Sequence, residues 1–262
     1  MELISLTLIG MFAAICGSIV GLGGGFIIVP SLALLYDLPV PQIVGTSMVV
    51  LVFSSVSSTL AYAKQKRIDF KSGILFSLAM IPGSIFGAWI TNFITSRDFF
   101  ISFGLFMLCI AASMTFKPNK GKRLSLHPTT SRTIVDSTGN QYSYSFNSWI
   151  GITIAFLVGF ISSLFGIGGG SVMVPMMILL LSFPVHIAAA TSMFFISISS
   201  FVGSISHMLF DHILWTKVLF LAIGSIIGGQ LGAKIAAKLP EKTILAALSA
   251  CLTIVAIRLM FK

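Results

Sequence analysis

The chain has 262 residues, of which 56% are hydrophobic and 9% charged, with a mean hydropathy of +1.04. A soluble domain carries roughly 25% charged residues, so this composition excludes a water-solvated globule and defines a polytopic membrane protein. The net charge of +9 is spread over short connections between apolar runs, which fits the excess of Lys and Arg in cytoplasmic loops and excludes a nucleic-acid-binding face.

The motifs of chemistry are few. Cys16, Cys109 and Cys251 fall in apolar spans at unrelated positions and are read as small buried hydrophobes. Four histidines and seven acidic residues form no HExxH, CxxC or paired-carboxylate pattern, so no metal, cofactor or enzymatic activity is expected. Met1-Glu2 followed by an apolar run lacks the basic start of a signal peptide and is read as a retained first span.

In chain order, the run from Leu3 to Tyr36 is too long for one span, which needs roughly 20 residues. It is divided by Gly21-Leu22-Gly23-Gly24-Gly25, which predicts a helix over 3–20, an unwound stretch at 21–25 and a short helix to about 36. Pro30 is placed near the first turn of that short helix, where a missing N–H costs nothing. Asp37 to Pro41 reads as a turn, followed by helices near 42–63, 71–93 and 97–116. The stretch 117–147 is polar and basic, with Lys117, Lys120, Lys122, Arg123 and Arg132. Within it, Thr133-Ile134-Val135, a turn over 136–140 and Gln141 to Tyr144 read as strand, turn and strand; a disordered linker is the alternative. From Ser148 the plan recurs, with a broken segment to about 182 and helices near 186–210, 215–238 and 242–261. The chain therefore divides into a first transmembrane repeat (1–116), a linker (117–147) and a second repeat (148–262).

The repeat is exact in register. Nine of the twenty positions 17–36 are identical to those 145 residues on, where roughly 10% identity per position would give about two. Gly166-Ile167-Gly168-Gly169-Gly170 and Pro175 mirror Gly21 to Gly25 and Pro30. Thr46-Ser47-Met48 recurs as Thr191-Ser192-Met193, Ser54-Ser55 as Ser199-Ser200, and Gly83, Gly87 and Ala88 as Gly228, Gly232 and Ala233. Helix breaks at matching positions of two halves point to a transporter's binding site. The halves could run parallel, with four spans each, or inverted, if each broken segment turns back. Both arrangements place twelve Lys and Arg on one face and four on the other. Glycine loops approaching from opposite faces would make one symmetric site, which favours the inverted form.

The doubled Gly-x-Gly-Gly-Gly-x4-Pro element, each followed by Thr-Ser-Met, resembles the sulfite exporter TauE/SafE family of membrane permeases over nearly the whole chain outside 117–147. The resemblance implies an integral membrane protein of the cell (plasma or inner) membrane that moves sulfite, sulfoacetate or related sulfonates outward. It does not single out one ligand.

The residue types point to an anion on their own account. Unwound glycines expose backbone N–H groups, and a helix starting after them adds the positive end of its dipole. The expected substrate-binding set is Gly21, Gly23, Gly24, Gly25, Thr46, Ser47, Gly166, Gly168, Gly169, Gly170, Thr191 and Ser192. Ser54, Ser199 and His207 are pathway or proton-linked candidates. Ser and Thr in membrane helices also bond their own backbone, and His207 could be an interfacial histidine. Gly83/Gly87 and Gly228/Gly232 read as close-packing positions, and Phe70 and Trp215 as interfacial anchors. The expected partners are a small anionic substrate and the lipid bilayer, with no nucleic acid, an oligomer being open. The 117–147 loop is placed in the cytoplasm. An anion channel with the glycine loops as its filter is the alternative to a carrier.

Overall fold

The computed structural model describes residues 2–36, 38–93, 96–115 and 128–260. The first half is α1 (Glu2–Val20), α2 (Gly25–Leu35), α3 (Val40–Lys64), α4 (Phe70–Ile90) and α5 (Ser96–Thr115). A hairpin of β1 (Thr130–Val135) and β2 (Gln141–Phe146) follows, and then α6 (Ser148–Phe165), α7 (Gly170–Leu179), α8 (Val185–Leu209), α9 (Trp215–Ala236) and α10 (Glu241–Met260). Six of these helices, α1, α3, α4, α6, α8 and α9, are long and apolar enough to cross a membrane. Lys117, Lys120, Lys122, Arg123 and Asp37 lie outside the described residues.

Three expectations need correction. The unwound stretch spans 21–24, because Gly25 already opens α2. Pro30 consequently sits inside α2, and Pro175 inside α7, rather than in a first turn. Each proline withholds an N–H from the carbonyl four residues earlier, at Phe26 and Ser171. Cys109 is exposed on α5, whereas Cys16 is half-buried; an exposed thiol is compatible with a lipid-facing helix surface.

Small residues set the helix packing. Gly224, Gly228 and Gly232 of α9 lie against the backbone of Thr7, Met11 and Ile15 of α1, so these two helices run parallel. Gly83 and Gly87 of α4 press on the carbonyls of Phe156 and Phe160 of α6, again in parallel. Any Cβ at these four repeat-related glycines would meet backbone. In contrast α3 and α8 run antiparallel, since Met48 faces Gly203 while Leu51 and Ile196 converge on the same glycines. The other close pairs are α3 with α9, α4 with α8, and α5 with α10.

The hairpin is anchored, not free. Its strands pair antiparallel from Thr130↔Phe146 to Val135↔Gln141, and Tyr144 and Phe146 turn inward onto Phe183, with ring centroids 4.4 and 5.1 Å away. Ser137 N donates to Gln65 O at 3.0 Å, and Arg67 forms a buried ion pair with Asp136 at 3.0 Å. Tyr144 Oη donates to Asp69 Oδ2 at 2.8 Å, and Arg132 Nε lies 3.6 Å from the same oxygen. Burial and then the Asp69 carboxylate raise the Tyr144 phenol above its ordinary range. Burial opposes ionisation of Asp136, but the Thr138 hydroxyl, Arg67 and the Asn140 and Thr138 amides outweigh it and hold the carboxyl well below the usual carboxylate range.

Candidate functional site: two glycine turns meeting in the core

Each half breaks its first apolar run with three left-handed glycines. Gly21, Gly23 and Gly24 have φ of 79°, 80° and 101°, and Gly166, Gly168 and Gly169 have 69°, 73° and 67°. A left-handed conformation costs an L-residue about 1–2 kcal/mol, which explains the residue type. The chain turns back on itself at both sites. The Leu22 and Gly23 amides donate to Gly17 O at 2.7 and 3.3 Å, and a methyl added to Gly24 would lie 2.7 Å from Ala13 O. In the second half Ile167 N donates to Ser162 O at 3.2 Å, and Gly169 faces Val158 and Ser162.

The two turns touch. A methyl on Gly25 would lie 2.6 Å from Gly166 O, and one on Gly170 would lie 2.9 Å from Leu22 Cα and press on Gly21 O. Leu51 of α3 and Ile196 of α8, both fully buried and 145 residues apart, lean over both turns. Leu51 methyls lie 2.8 Å from a methyl position on Gly23 and 2.9 Å from one on Gly168; Ile196 Cγ2 lies 3.5 and 3.2 Å from them. The centre of the molecule is therefore closed by an aliphatic pair.

Hydroxyls tie the turn carbonyls, two from the opposite half and one from the same half. Ser192 Oγ donates to Gly21 O at 2.6 Å, Ser47 Oγ to Gly166 O at 2.8 Å, and Ser54 Oγ to Gly23 O at 2.8 Å. Ser199 departs from this symmetry and donates within its own helix to Ile196 O at 3.3 Å. Thr46 and Thr191 are buried but do not reach the turns: Thr46 Oγ1 accepts from Leu214 N at 3.1 Å and Thr191 Oγ1 from Asp69 N at 3.0 Å. Each threonine thus holds the loop that leads into a helix of the other half. The amides are less well served. Gly170 N is used locally on Gly168 O at 2.7 Å, but the Gly24, Gly168 and Gly169 amides find no acceptor among the described residues.

His207 is fully buried and not alone. Its Nδ1 lies 3.1 Å from His212 Nδ1 and its Nε2 3.4 Å from Ser163 O. Tyr62, its counterpart, donates to Ser18 O at 2.7 Å, and Ser18 is the counterpart of Ser163. His212, in the loop just outside α8, belongs to this cluster. Burial lowers its pKa, with Asp211 opposing. Sequence reasoning also missed Leu51, Ile196 and the hydroxyls of Ser162, Ser163 and Ser171; only the Ser18/Ser163 identity between the halves marked any of them. Ser162, Ser163, Ser171 and Ser200 are buried with no hydrogen-bond partner, and an orphaned buried group of this kind costs about 1–3 kcal/mol. Among the described residues no group of three His, Cys, Asp or Glu could hold a metal ion.

A helical membrane protein whose two broken segments meet in its core has the build of a membrane transporter. The chain belongs to the Sulfite exporter TauE/SafE family, which it matches over residues 6–259. It is 42% identical to the probable membrane transporter protein YunE of Bacillus subtilis (strain 168), over 100% of this chain and 98% of that one. A probable membrane transporter protein of Methanocaldococcus jannaschii is 30% identical, with 94% and 91% of the two chains covered. YdhB of Bacillus subtilis, also a probable membrane transporter protein, is 24% identical over 92% of this chain. No solved structure matches.

Proposed function

We propose that the protein is a secondary transporter that exports a small anion, sulfite or an organosulfonate such as sulfoacetate, across the cell membrane. The observation that carries the reading is the meeting of two glycine turns in the core with the Gly24, Gly168 and Gly169 amides lacking acceptors. Such donors, at the starts of α2 and α7, favour negative charge. Gly21, Gly23, Gly25, Gly166 and Gly170 shape the turns, Ser47 and Ser192 hold them, and Thr46 and Thr191 fix the surrounding loops. The spans carry no Lys or Arg at their centres, which keeps an anion from being held too tightly to release. The substrate class itself comes from the family's name.

The two halves form inverted repeats in this reading. The parallel packing of α1 with α9 and of α4 with α6, and the antiparallel packing of α3 with α8, support opposite directions for matching helices. The same directions gather Lys64, Lys66, Arg67, Lys71, Arg132, Lys234 and Lys238 at the hairpin end, with Arg97 and Lys217 at the other. The positive-inside rule then puts the hairpin in the cytoplasm. Closure by Leu51 and Ile196 favours a carrier with an occluded centre over an open pore.

An inside-negative potential of about 100 mV favours exit of a monoanion by about 2.3 kcal/mol, so efflux needs no coupling ion. The test is transport in proteoliposomes with sulfite, sulfate, thiosulfate, sulfoacetate and carboxylate controls. Saturable, potential-dependent efflux with counterflow of a sulfur oxyanion is expected. Transport of carboxylates alone would overturn the substrate class, efflux indifferent to the potential would overturn the electrogenic step, and single-channel currents would identify a pore.

A further inference from the structure

We propose that the anion is held off the molecular centre, in the second half alone, by the hydroxyls of Ser162, Ser163, Ser171 and Ser200 together with the Gly168 and Gly169 amides. This rests on the anion-transport reading above and adds which half does the binding.

A serine buried in a membrane helix ordinarily donates to a carbonyl of its own preceding turn, as Ser55, Ser58 and Ser77 do here. The four proposed ligands are at most 1% exposed and donate to nothing. They lie on three helices that follow one another in the second half, α6, α7 and α8. Ser162 Cβ lies 3.5 Å from a methyl position on Gly169, and Ser163 Oγ lies 3.6 Å from one on Gly203. Ser200 stands one turn before Gly203, on the same face of α8, and Ser171 is in the first turn of α7, directly after the Gly168 and Gly169 amides.

The matching positions of the first half are closed. Gly17 stands for Ser162 and Phe26 for Ser171. Ser18, the counterpart of Ser163, is bonded to Ser58 at 2.5 Å, and Ser55, the counterpart of Ser200, donates to Leu51 O at 2.6 Å. The departure that decides the Ser163 hydroxyl is Ser58 against Gly203. Removing that side chain frees the Ser163 hydroxyl, and Met48 Cε packs beside Gly203 in the space it leaves. Hydroxyls and amides with no Lys or Arg on α6, α7 or α8 make a donor set for a small oxyanion, and because a hydroxyl also accepts, a monoprotonated anion fits as well as a bare one.

The test compares the two halves by calorimetric titration of the purified full-length protein with sulfite and with sulfoacetate. Ser163→Ala and Ser200→Ala should each raise Kd at least tenfold without lowering the melting temperature, since neither hydroxyl is bonded. Ser18→Ala, which loses the bond to Ser58, should lower the melting temperature and leave Kd within threefold. Where an alanine variant fails to fold, Ser200→Cys in a background without the native cysteines should be protected from a thiol reagent by sulfite, and Ser58→Cys should not. Equal effects in the two halves, or an unchanged Kd in Ser163→Ala and Ser200→Ala, would overturn the asymmetric site while leaving anion transport standing. Wild-type protein that binds neither anion would overturn both.

Discussion

At Gly24 and Gly169 the φ angles of +101° and +67° are combined with crowding by Ala13 and by Met80 and Val158. Gly139, in the hairpin turn, has φ of +86° with nothing near it. The contrast separates conformation from packing. Gly139→Ala should cost only the conformational term, about 1–2 kcal/mol, and leave transport intact. Gly24→Leu or Gly169→Leu should insert in the membrane but abolish flux, measured by efflux from proteoliposomes normalised to inserted protein. The glycines were legible in the sequence because they occur twice in one register. Leu51 and Ile196 were not, because two aliphatic residues among many carry no local mark until the fold brings them over the same turns.

Among the elements, the hairpin was half-legible. Its alternation and its Asp-Ser-Thr-Gly-Asn turn predict two strands, but its attachment depends on Arg67, 69 residues before Asp136, and no local pattern encodes that pair. Asp136→Asn removes the carboxylate facing a buried guanidinium, a loss of about 3–5 kcal/mol, and should release the hairpin to proteolysis. The pH dependence has a defined sign. Because the folded pKa of Asp136 lies below its unfolded value, its contribution is fully present above about pH 4 and is lost as the pH falls through the lower folded value. Thermal melts of detergent-solubilised wild type should therefore steepen their decline in acid relative to Asp136→Asn. The prolines teach a related lesson. Pro30 reads as a helix-start residue, yet α2 begins five residues earlier, as α7 does before Pro175, because the last glycine of each cluster is already helical.

For the whole molecule, the proposed inverted arrangement makes a direct prediction. Lys71 and Thr216 are 145 residues apart and both exposed at the starts of α4 and α9. In a cysteine-free background, Lys71→Cys and Thr216→Cys should be modified by an impermeant thiol reagent from opposite faces of the membrane. Modification of both from one face would restore parallel repeats. Leu51→Ala and Ile196→Ala should loosen the central closure and raise passive sulfite leak severalfold, read as efflux without a potential. Undiminished tightness in the double variant would remove these side chains from the pathway.

The sequence by itself determined the class of protein, the positions of the helix breaks and the register of the repeat, because hydropathy, glycine and identity at a fixed spacing are local properties of the chain. Only the tertiary structure decided that the two turns touch, that Ser47 and Ser192 cross between halves to hold them, and that Thr46 and Thr191 face away to other loops. Adjacent residues on a helix point about 100° apart, so Thr46 and Ser47, like Thr191 and Ser192, take different partners here, and which of each pair faces the turns is settled by what packs against each face.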